Sequence, residues 1–305
     1  MSTGSTTHQT QSFLLRRFKE AGYEPNTRYG QNFLIDLNLQ RVLLDAAELG
    51  PADVVLEVGT GTGSLTRKMA PLVAHVVTVE VDRRLAQLAS EELIDCENVT
   101  LLVQDALRNK NRLQQGVLDA VSAAMSAEPG RVFKLVANLP YNVATPVISN
   151  LLVGPQIPRT MVVTIQKELA ERIAARPSTK DYSALSIWVQ SQCRVELVRT
   201  MPPAAFWPRP KVHSAIIRID FDERLRERIG DVEFFHQFVR AMFFHRRKLL
   251  RSVAVSAMKG QLNKESVDAV LAEVGLSPEA RAEQLDVETM IRLSKAMHGR
   301  IQEAG

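Results

Sequence analysis

The chain has 305 residues, of which 38 are Lys or Arg and 34 are Asp or Glu, so its formal net charge is +4. This length suits one large and one small domain, and the mild basic excess is compatible with a polyanionic partner. The two cysteines, Cys96 and Cys193, lie far apart without histidines at ligand spacing. That pattern argues against a metal site or a disulfide framework and favours a reducing, cytoplasmic compartment. No apolar run approaches the ~20 residues of a membrane span.

The N-terminal residues carry little information about a fold. Residues 1–12 are rich in serine and threonine and lack the apolar centre of a signal peptide, so they predict a disordered tail. No acid precedes Glu20, which leaves an organelle transit segment as the alternative. An amphipathic helix is predicted from Phe13 to near Gly22.

The segment Tyr29–Asp36 places polar amides next to bulky apolar residues. Two interpretations stand side by side: a segment that folds across a ligand, or the start of a helix that Asp36 caps. A helix with an apolar stripe is predicted over Leu39–Leu49.

A glycine turn follows the first strongly predicted strand. The β-branched run Val54–Val58 leads directly into Gly59–Gly63, and Ser64 is placed to cap a following helix. A strand, a glycine turn and a helix together allow close backbone approach to a ligand that faces the helix dipole. The spacing is G-x-G-x-G rather than G-x-G-x-x-G, and a plain tight turn is the alternative.

Acidic residues end the next two predicted strands. The strand His75–Val79 reaches Glu80 about 20 residues past the glycine turn, where a carboxylate can accept both hydroxyls of a ribose. A helix N-cap is the alternative role, and Asp82 can fill it instead. The strand Val99–Val103 leads to Asp105, which can accept a hydrogen bond from the amine of an adenine. The three strand ends together predict a cofactor that contains adenosine.

The strongest local pattern is Asn138-Leu139-Pro140-Tyr141, at the end of the apolar strand Val132–Ala137. Asn138 offers a side-chain carbonyl acceptor, and Pro140 fixes the direction of the Leu139 carbonyl. Tyr141 supplies a ring for stacking. Two acceptors beside an aromatic ring suit the exocyclic amine of a nucleobase.

The middle of the chain alternates helices with strands. Helices are predicted over Asn109–Ala127, Val143–Leu152, Gln166–Arg172 and Tyr182–Gln192, and strands over Met161–Ile165, Cys193–Val198 and Ala215–Phe221. The last two strands flank a proline-rich loop that starts at Phe206. An exposed Phe206 can stack on a base while Arg209 and Lys211 reach phosphates, and a core phenylalanine is the alternative.

From about Asp222 the pattern is wholly helical. Five cations and no acid lie between residues 240 and 251, namely Arg240, Arg246, Arg247, Lys248 and Arg251. A helix face this basic can neutralise several phosphates, and a merely solvated helix is the alternative.

Four motifs in this order closely resemble the ribosomal RNA adenine dimethyltransferases: Gly30–Leu34, Leu56–Gly63, Asn138–Tyr141 and Phe206–Ser214. Arg246-Arg247-Lys248 is similar to a basic motif of the small-subunit branch, which is tied to kasugamycin sensitivity. The resemblance spans roughly Leu14 to the C-terminus. It implies an α/β fold of class I, a Rossmann-like seven-stranded sheet that binds S-adenosylmethionine, with a small all-helical C-terminal domain. We place the methyltransferase domain at 13–221 and the RNA-recognition domain at 222–305.

The resemblance also implies a reaction and its residues. Two adjacent adenosines in the 3′-terminal hairpin of small-subunit (16S) RNA are each dimethylated on N6, with a role in ribosome biogenesis. The implied catalytic residues are Asn138, Leu139, Tyr141 and Phe206. The implied cofactor residues are Asn32, Leu34, Gly59, Gly61, Glu80, Asp105 and Asn138, and the RNA residues are Arg209, Lys211, Arg246, Arg247, Lys248 and Arg251. The implied partners are small-subunit rRNA and the pre-small ribosomal subunit. We expect no metal ion and no membrane to take part, and we expect the chain to be a monomer.

Two positions depart from the family pattern. Thr60 stands where a proline is usual in the glycine turn, and His245 stands where a polar amide is usual. The main rivals are a large-subunit adenine methyltransferase of the macrolide-resistance type and a largely non-catalytic ribosome-assembly factor. The extended basic C-terminal region argues against the first rival, and intact Asn138 and Glu80 favour a working enzyme over the second.

Overall fold

The computed structural model describes residues 11–25, 30–245 and 248–304. Its internal contacts divide the chain into two units. The first unit is the chain up to Ala170 together with Glu196–Ile219, and the second is Glu171–Val195 together with the chain from Asp220 onward. The second segment of the second unit begins at Asp220, close to the predicted boundary at residue 222, whereas its first segment, Glu171–Val195, falls within the predicted methyltransferase domain.

The helices with residues in the first unit are α1 (Gln11–Glu20), α2 (Leu37–Ala47), α3 (Ser64–Met69), α4 (Arg83–Glu92), α5 (Gln115–Ser126), α6 (Ala144–Leu151) and α7 (Lys167–Ile173). The strands are β1 (Phe33–Leu34), β2 (Asp53–Val58), β3 (His75–Glu80), β4 (Val99–Val103), β5 (Leu107–Asn109), β6 (Arg112–Leu113), β7 (Val132–Asn138), β8 (Thr160–Gln166), β9 (Cys193–Met201), β10 (Phe206–Trp207) and β11 (Ser214–Phe221).

A seven-stranded sheet with the order β4-β3-β2-β7-β8-β11-β9 forms the centre of the first unit. The pairs from β4 to β8 are parallel. Strands β2 and β8 are buried along almost their whole length, which explains why their sequences are continuous apolar runs rather than alternating ones. The chain order reverses between β2 and β7, and open parallel sheets bind ligands at such a switch point, beyond the carboxyl ends of the strands.

Two smaller features fix the segment that precedes α2. Strand β1 pairs antiparallel with β10, with Phe33 opposite Trp207 and Leu34 opposite Phe206. Asp36 caps α2, because its Oδ1 accepts hydrogen bonds from the backbone N–H groups of residues 38 and 39 at 2.9 and 3.1 Å. The capping interpretation of this segment is therefore correct.

One predicted element is wrong in part. Instead of a helix that begins at Asn109, β5 and β6 form a short antiparallel pair, and α5 begins at Gln115. The cause is local, because Asn109 Oδ1 accepts a hydrogen bond from the Asn111 backbone N–H at 2.9 Å. Such a bond favours a turn over a helix.

The second unit is helical, as predicted. Its helices are α8 (Ala184–Gln190), α9 (Glu223–Glu227), α10 (Val232–Met242), α11 (Leu250–Ala257), α12 (Lys264–Glu273) and α13 (Val287–Ala304). Trp188 on α8 stacks against His236 on α10 with ring centroids 4.3 Å apart, and Tyr182 donates a hydrogen bond to the Leu285 carbonyl at 3.0 Å. These contacts explain why Glu171–Val195 belongs with the C-terminal helices.

Candidate active site

A cleft lies beyond the carboxyl ends of β2, β3, β4 and β7. It opens to solvent, and its walls are mainly apolar with a few polar groups, as is usual for small-molecule sites. Eight of the predicted site residues line it: Asn32, Gly59, Gly61, Glu80, Asp105, Asn138, Leu139 and Tyr141. The sheet topology therefore brings together side chains that lie more than 100 residues apart in sequence.

The glycine turn has the backbone conformation that its sequence requires. Gly59, Gly61 and Gly63 have φ angles of 90°, 58° and 83°, a region that side chains rarely allow. A Cβ atom on Gly59 would lie 3.1 Å from Cδ of Pro140, and one on Gly61 would lie 3.3 Å from the Phe33 ring. Glycine is therefore needed here both for its conformation and for the close approach of the catalytic motif.

Glu80 is buried at the edge of the cleft, where it holds the glycine turn. Its Oε2 accepts a hydrogen bond from the Gly61 N–H at 2.8 Å, and its Oε1 accepts one from the Asp82 N–H at 3.0 Å. Burial raises the pKa of this carboxyl group above its ordinary value. The helix-capping role belongs to Asp82, whose Oδ1 accepts from the Arg84 N–H at 2.9 Å. Glu80 is thus available to a ligand in the cleft.

The next strand end supplies an acid and an amide. Asp105 is exposed, and its Oδ1 accepts a hydrogen bond from the Leu107 N–H at 2.8 Å. The neighbouring Gln104 also lines the cleft, and within residues 11–25, 30–245 and 248–304 its buried Nε2 has no hydrogen-bond partner. Sequence reasoning missed Gln104, although it directly precedes the predicted acid.

Asn138 presents a carbonyl oxygen that the protein leaves unused. Its Nδ2 donates to the Asn32 carbonyl at 2.8 Å, which fixes the orientation of the amide. Its Oδ1 is buried and has no hydrogen-bond partner in the part of the chain that the structure describes. An unpaired buried acceptor costs about 1–3 kcal/mol, so such a group is typical of a site that awaits a donor.

The rest of the motif is held in place by its neighbours. The Leu139 N–H donates to the Thr164 carbonyl on β8 at 3.1 Å, and the Leu139 side chain is buried. The Tyr141 hydroxyl lies 2.6 Å from Oγ of Ser214, and burial raises the pKa of the phenol. Tyr141 is therefore neutral at physiological pH, with its ring at the cleft.

A buried network lies beneath the glycine turn, and sequence reasoning did not find it. Thr78 donates to Oε2 of Glu57 at 2.7 Å, and Thr66 donates to the same oxygen. The Thr60 hydroxyl lies 2.6 Å from that of Thr78, so with the Thr78 proton directed at Glu57, Thr60 is the donor to Thr78. Thr60, which stands where a proline is usual in the family, therefore contributes a hydrogen bond to this network. The signal in the sequence was the acid Glu57 within the otherwise apolar run Val54–Val58.

Burial dominates the ionisation of Glu57. Its side chain is 1% exposed, and desolvation raises its pKa to about 8 against the opposing effect of the two threonine hydrogen bonds. The fold therefore favours a protonated Glu57 at neutral pH.

Two of the residues predicted for catalysis or cofactor binding do not line the main cleft. Leu34 lines a smaller neighbouring cavity with Asn138 and Gly59. Phe206 is 2% exposed and packs in the core with Leu34, its partner across the β1–β10 pair. The prediction that an exposed Phe206 ring stacks on a base is therefore wrong for this structure, and the alternative of a core phenylalanine is correct.

The predicted RNA-binding residues differ in their surroundings. Arg209, Lys211 and Lys248 are exposed. Arg251 is held in a two-pronged ion pair by Asp268, with nitrogen–oxygen distances of 2.6 and 2.7 Å, so its charge is largely neutralised within the protein. Arg246 and Arg247 lie outside the described residues.

Other classes of site receive no support from the structure. Across the described ranges, no three His, Cys, Asp or Glu side chains are grouped so that they could hold a metal ion. Among the helices of the described chain, none is long and apolar enough to cross a membrane.

The cleft fits S-adenosylmethionine, the cofactor that the resemblance implies. It offers carboxylates at two successive strand ends for a ribose and an adenine. The turn places Gly59 and Gly61, which have no side chain, at the cleft for close approach, and the unpaired Asn138 Oδ1 lies at the same cleft. The molecule thus has acceptors where a nucleoside needs them.

Comparisons with known proteins agree with this description. The sequence model of the ribosomal RNA adenine dimethylase family matches residues 22–298. The chain is 36% identical over 276 residues to ribosomal RNA small subunit methyltransferase A of Caldanaerobacter subterraneus subsp. tengcongensis, which covers 90% of this chain and 98% of that relative. It is 38% identical over 277 residues to the protein of the same name from Bacillus mycoides, which covers 90% and 92%.

Solved structures show the same fold. A dimethyladenosine transferase from Plasmodium falciparum superposes with a TM-score of 0.71 at 24% identity, covering 87% of this chain and 97% of that one. The 23S rRNA methyltransferase ErmE superposes with a TM-score of 0.61 at 25% identity, covering 88% and 100%. The predicted class I α/β fold is thereby confirmed.

Proposed function

This chain belongs to the ribosomal RNA adenine dimethylase family, and on that basis we propose that it dimethylates N6 of two adjacent adenosines in the 3′-terminal hairpin of small-subunit ribosomal RNA. The enzyme is an rRNA adenine dimethyltransferase that uses S-adenosylmethionine. The choice of the small subunit is supported by the names of relatives that are 36% and 38% identical over 90% of the chain. ErmE, which is named for 23S rRNA, is less similar at 25% identity.

The buried, unpaired Oδ1 of Asn138 is the observation that carries the proposed chemistry. An adenine amine is a weak nucleophile because its lone pair is conjugated with the ring. A hydrogen bond from the amine to Asn138 Oδ1, and a second to the Leu139 carbonyl, favour the pyramidal form in which the lone pair is free. Both acceptors also stabilise the positive charge that develops on nitrogen during transfer.

The cofactor supplies an electrophilic methyl group on a sulfonium. The residues of this chain would bind and orient it. Glu80 would accept hydrogen bonds from the ribose hydroxyls, Asp105 would accept one from the adenine amine, and Asn32, Leu34, Gly59 and Gly61 would complete the site. Asn138 lies between this site and the target base. Holding the amine in line with the methyl group supplies much of the rate acceleration.

The target base must leave its stack before it can react. We propose that the Tyr141 ring holds one face of the base. With Phe206 in the core, its role is to support the segment around Leu34 rather than to stack. The second methylation requires that the amine give up one of its two hydrogen bonds, because a methyl group replaces one proton.

The RNA backbone is held by exposed cations in this proposal. Arg209, Lys211 and Lys248 are exposed and suited to phosphates. Arg246 and Arg247 are proposed for the same role from the sequence alone. Arg251 is a weaker candidate because Asp268 already neutralises it. We further propose that the first unit is the methyltransferase domain, that the second recognises RNA, and that a monomer acts on the pre-small subunit in the cytoplasm.

The decisive experiment is transfer of labelled methyl groups from S-adenosylmethionine to immature small subunits, large subunits and duplex DNA. The modified nucleoside is then identified, with Asn138→Ala as the control. Dimethyladenosine on small subunits alone is the expected result. Label on large-subunit RNA would move the protein to the macrolide-resistance type. No label on any substrate, with the cofactor still bound, would refute an enzymatic role.

A further inference from the structure

The turn between α10 and α11 carries an aromatic ring that the fold does not use. Phe244 is 80% exposed, although large apolar side chains normally gain stability from burial. Its neighbour Phe243 behaves in the opposite way and packs edge-on against Tyr182, with ring centroids 6.3 Å apart. The structural need for a phenylalanine at the end of α10 is therefore met by Phe243 alone.

The backbone at Phe244 does not need this side chain either. Its N–H donates to the Ala241 carbonyl at 3.2 Å, a bond that any residue other than proline can make. The ring has a described contact only with His245, edge-on at 4.8 Å between centroids. Replacement of Phe244 should therefore leave the fold intact.

Cationic residues flank Phe244 along the chain. Arg240 precedes Phe244 by one helical turn, Lys248 follows it by four residues, and both are exposed, as is His245. No acid occurs between residues 240 and 251. An exposed aromatic ring among exposed cations is the arrangement with which proteins bind unpaired nucleotides, because the ring stacks on a base while the cations bind flanking phosphates.

We propose that Phe244 is an RNA contact whose ring stacks on an unpaired base of ribosomal RNA, while Arg240 and Lys248 bind phosphates beside it. This inference rests on the proposed function, and it adds a base-stacking residue to a region for which the sequence suggested only charge. An apolar contact with a ribosomal protein is the competing possibility. It is less favoured because the only other exposed large apolar side chain of this turn is Leu249, at 46%.

The test uses three substitutions that separate ring stacking from apolar contact: Phe244→Ala, Phe244→Leu and Phe244→Trp. The control is Ile94→Ala in the first unit, where the side chain is also 80% exposed. Affinity for immature small subunits is measured by filter binding over a range of salt concentrations, and methylation kinetics are measured in parallel.

Stacking predicts that Phe244→Ala and Phe244→Leu weaken binding roughly 5- to 100-fold, while Phe244→Trp and Ile94→Ala bind as wild type. The weaker binding should appear as a higher KM for small subunits, while kcat at a saturating concentration of subunits stays unchanged. The salt dependence should keep its slope in Phe244→Ala, whereas Lys248→Ala should reduce that slope by about 1.

Two outcomes would overturn the inference. Wild-type affinity of Phe244→Ala would show that the ring contacts nothing, and wild-type affinity of Phe244→Leu would show a general apolar contact of the kind a protein makes. Failure of the proposed function is distinguishable, because the wild-type enzyme would then leave small subunits unmethylated whatever residue stands at position 244.

Discussion

Asn138→Ala tests the proposed chemistry most directly. The substitution removes the buried Oδ1 that has no partner in the described chain, and it also removes the Nδ2 hydrogen bond to the Asn32 carbonyl at 2.8 Å. The two losses affect different properties. The first should lower turnover, and the second should lower stability.

The expected magnitudes follow from these contacts. A neutral hydrogen bond such as Nδ2 to the Asn32 carbonyl contributes about 1 kcal/mol, so the variant should remain folded. The Oδ1 acceptor acts on charge that develops in the transition state, and it has no other bond to give up first. Removal of one such preorganised group costs about 10²–10³ in kcat, and we expect a loss in that range.

The assay is single-turnover methylation of immature small subunits, with cofactor affinity measured separately by calorimetry. Asn142→Ala is the matched control, because it removes another amide that lines the same cleft. We expect both variants to bind the cofactor within a few-fold of wild type and only Asn138→Ala to lose turnover. Turnover of Asn138→Ala close to wild type would refute the mechanism, and an equal loss of cofactor affinity would assign Asn138 to cofactor binding alone.

Three further substitutions test the supporting structure. Folding raises the pKa of Glu57 from 4.5 to about 8, so the free energy of unfolding of the wild type should fall by on the order of 4 kcal/mol as pH rises through that range. Glu57→Gln should remove this dependence, which urea unfolding at pH 5 and pH 8 would measure. Gly59→Ala should weaken cofactor binding at least about tenfold, because backbone strain at its φ of 90° combines with a close contact between the new Cβ and Pro140. Gly130→Ala is the control: Gly130 has a φ of 84° but open space around it, so this variant should bind the cofactor as the wild type does. Phe206→Ala should lose about 3–5 kcal/mol of unfolding free energy, whereas wild-type stability with impaired turnover would restore the stacking role.

The sequence predicted most of the sheet because its central strands are buried on both faces. A parallel strand such as Val54–Val58 is rich in valine, and this pattern is visible without a structure. Helix α8 was harder, since its own sequence does not say which unit covers its apolar face. Contacts such as that of the Trp188 ring with His236 show that it belongs with the C-terminal helices.

The residues of the site also divide into those that the sequence could predict and those that it could not. Residues at strand ends were predictable because topology alone brings Glu80, Asp105 and Asn138 to one edge of the sheet. The burial of Phe206 was not, because its exposure depends on pairing with a segment about 170 residues earlier in the chain. The same holds for Arg251, whose charge looks free until Asp268 is placed beside it.

Glu80, for which we propose ribose binding, is hydrogen-bonded to the glycine turn, and this connection limits how mutations at either can be interpreted. Glu80 Oε2 accepts the Gly61 N–H at 2.8 Å, while the N–H groups of Gly59 and Thr60 both donate to the Val79 carbonyl. The end of β3 therefore holds the turn through two consecutive residues, and Thr78 adds a third connection through Thr60. Removal of the Glu80 carboxylate would release Gly61 as well as the ribose. A loss of cofactor affinity in Glu80→Ala would thus combine ribose recognition with turn geometry, and groups in contact of this kind are not additive. Glu80→Gln keeps an acceptor for Gly61 and so comes closer to measuring the ribose contact alone.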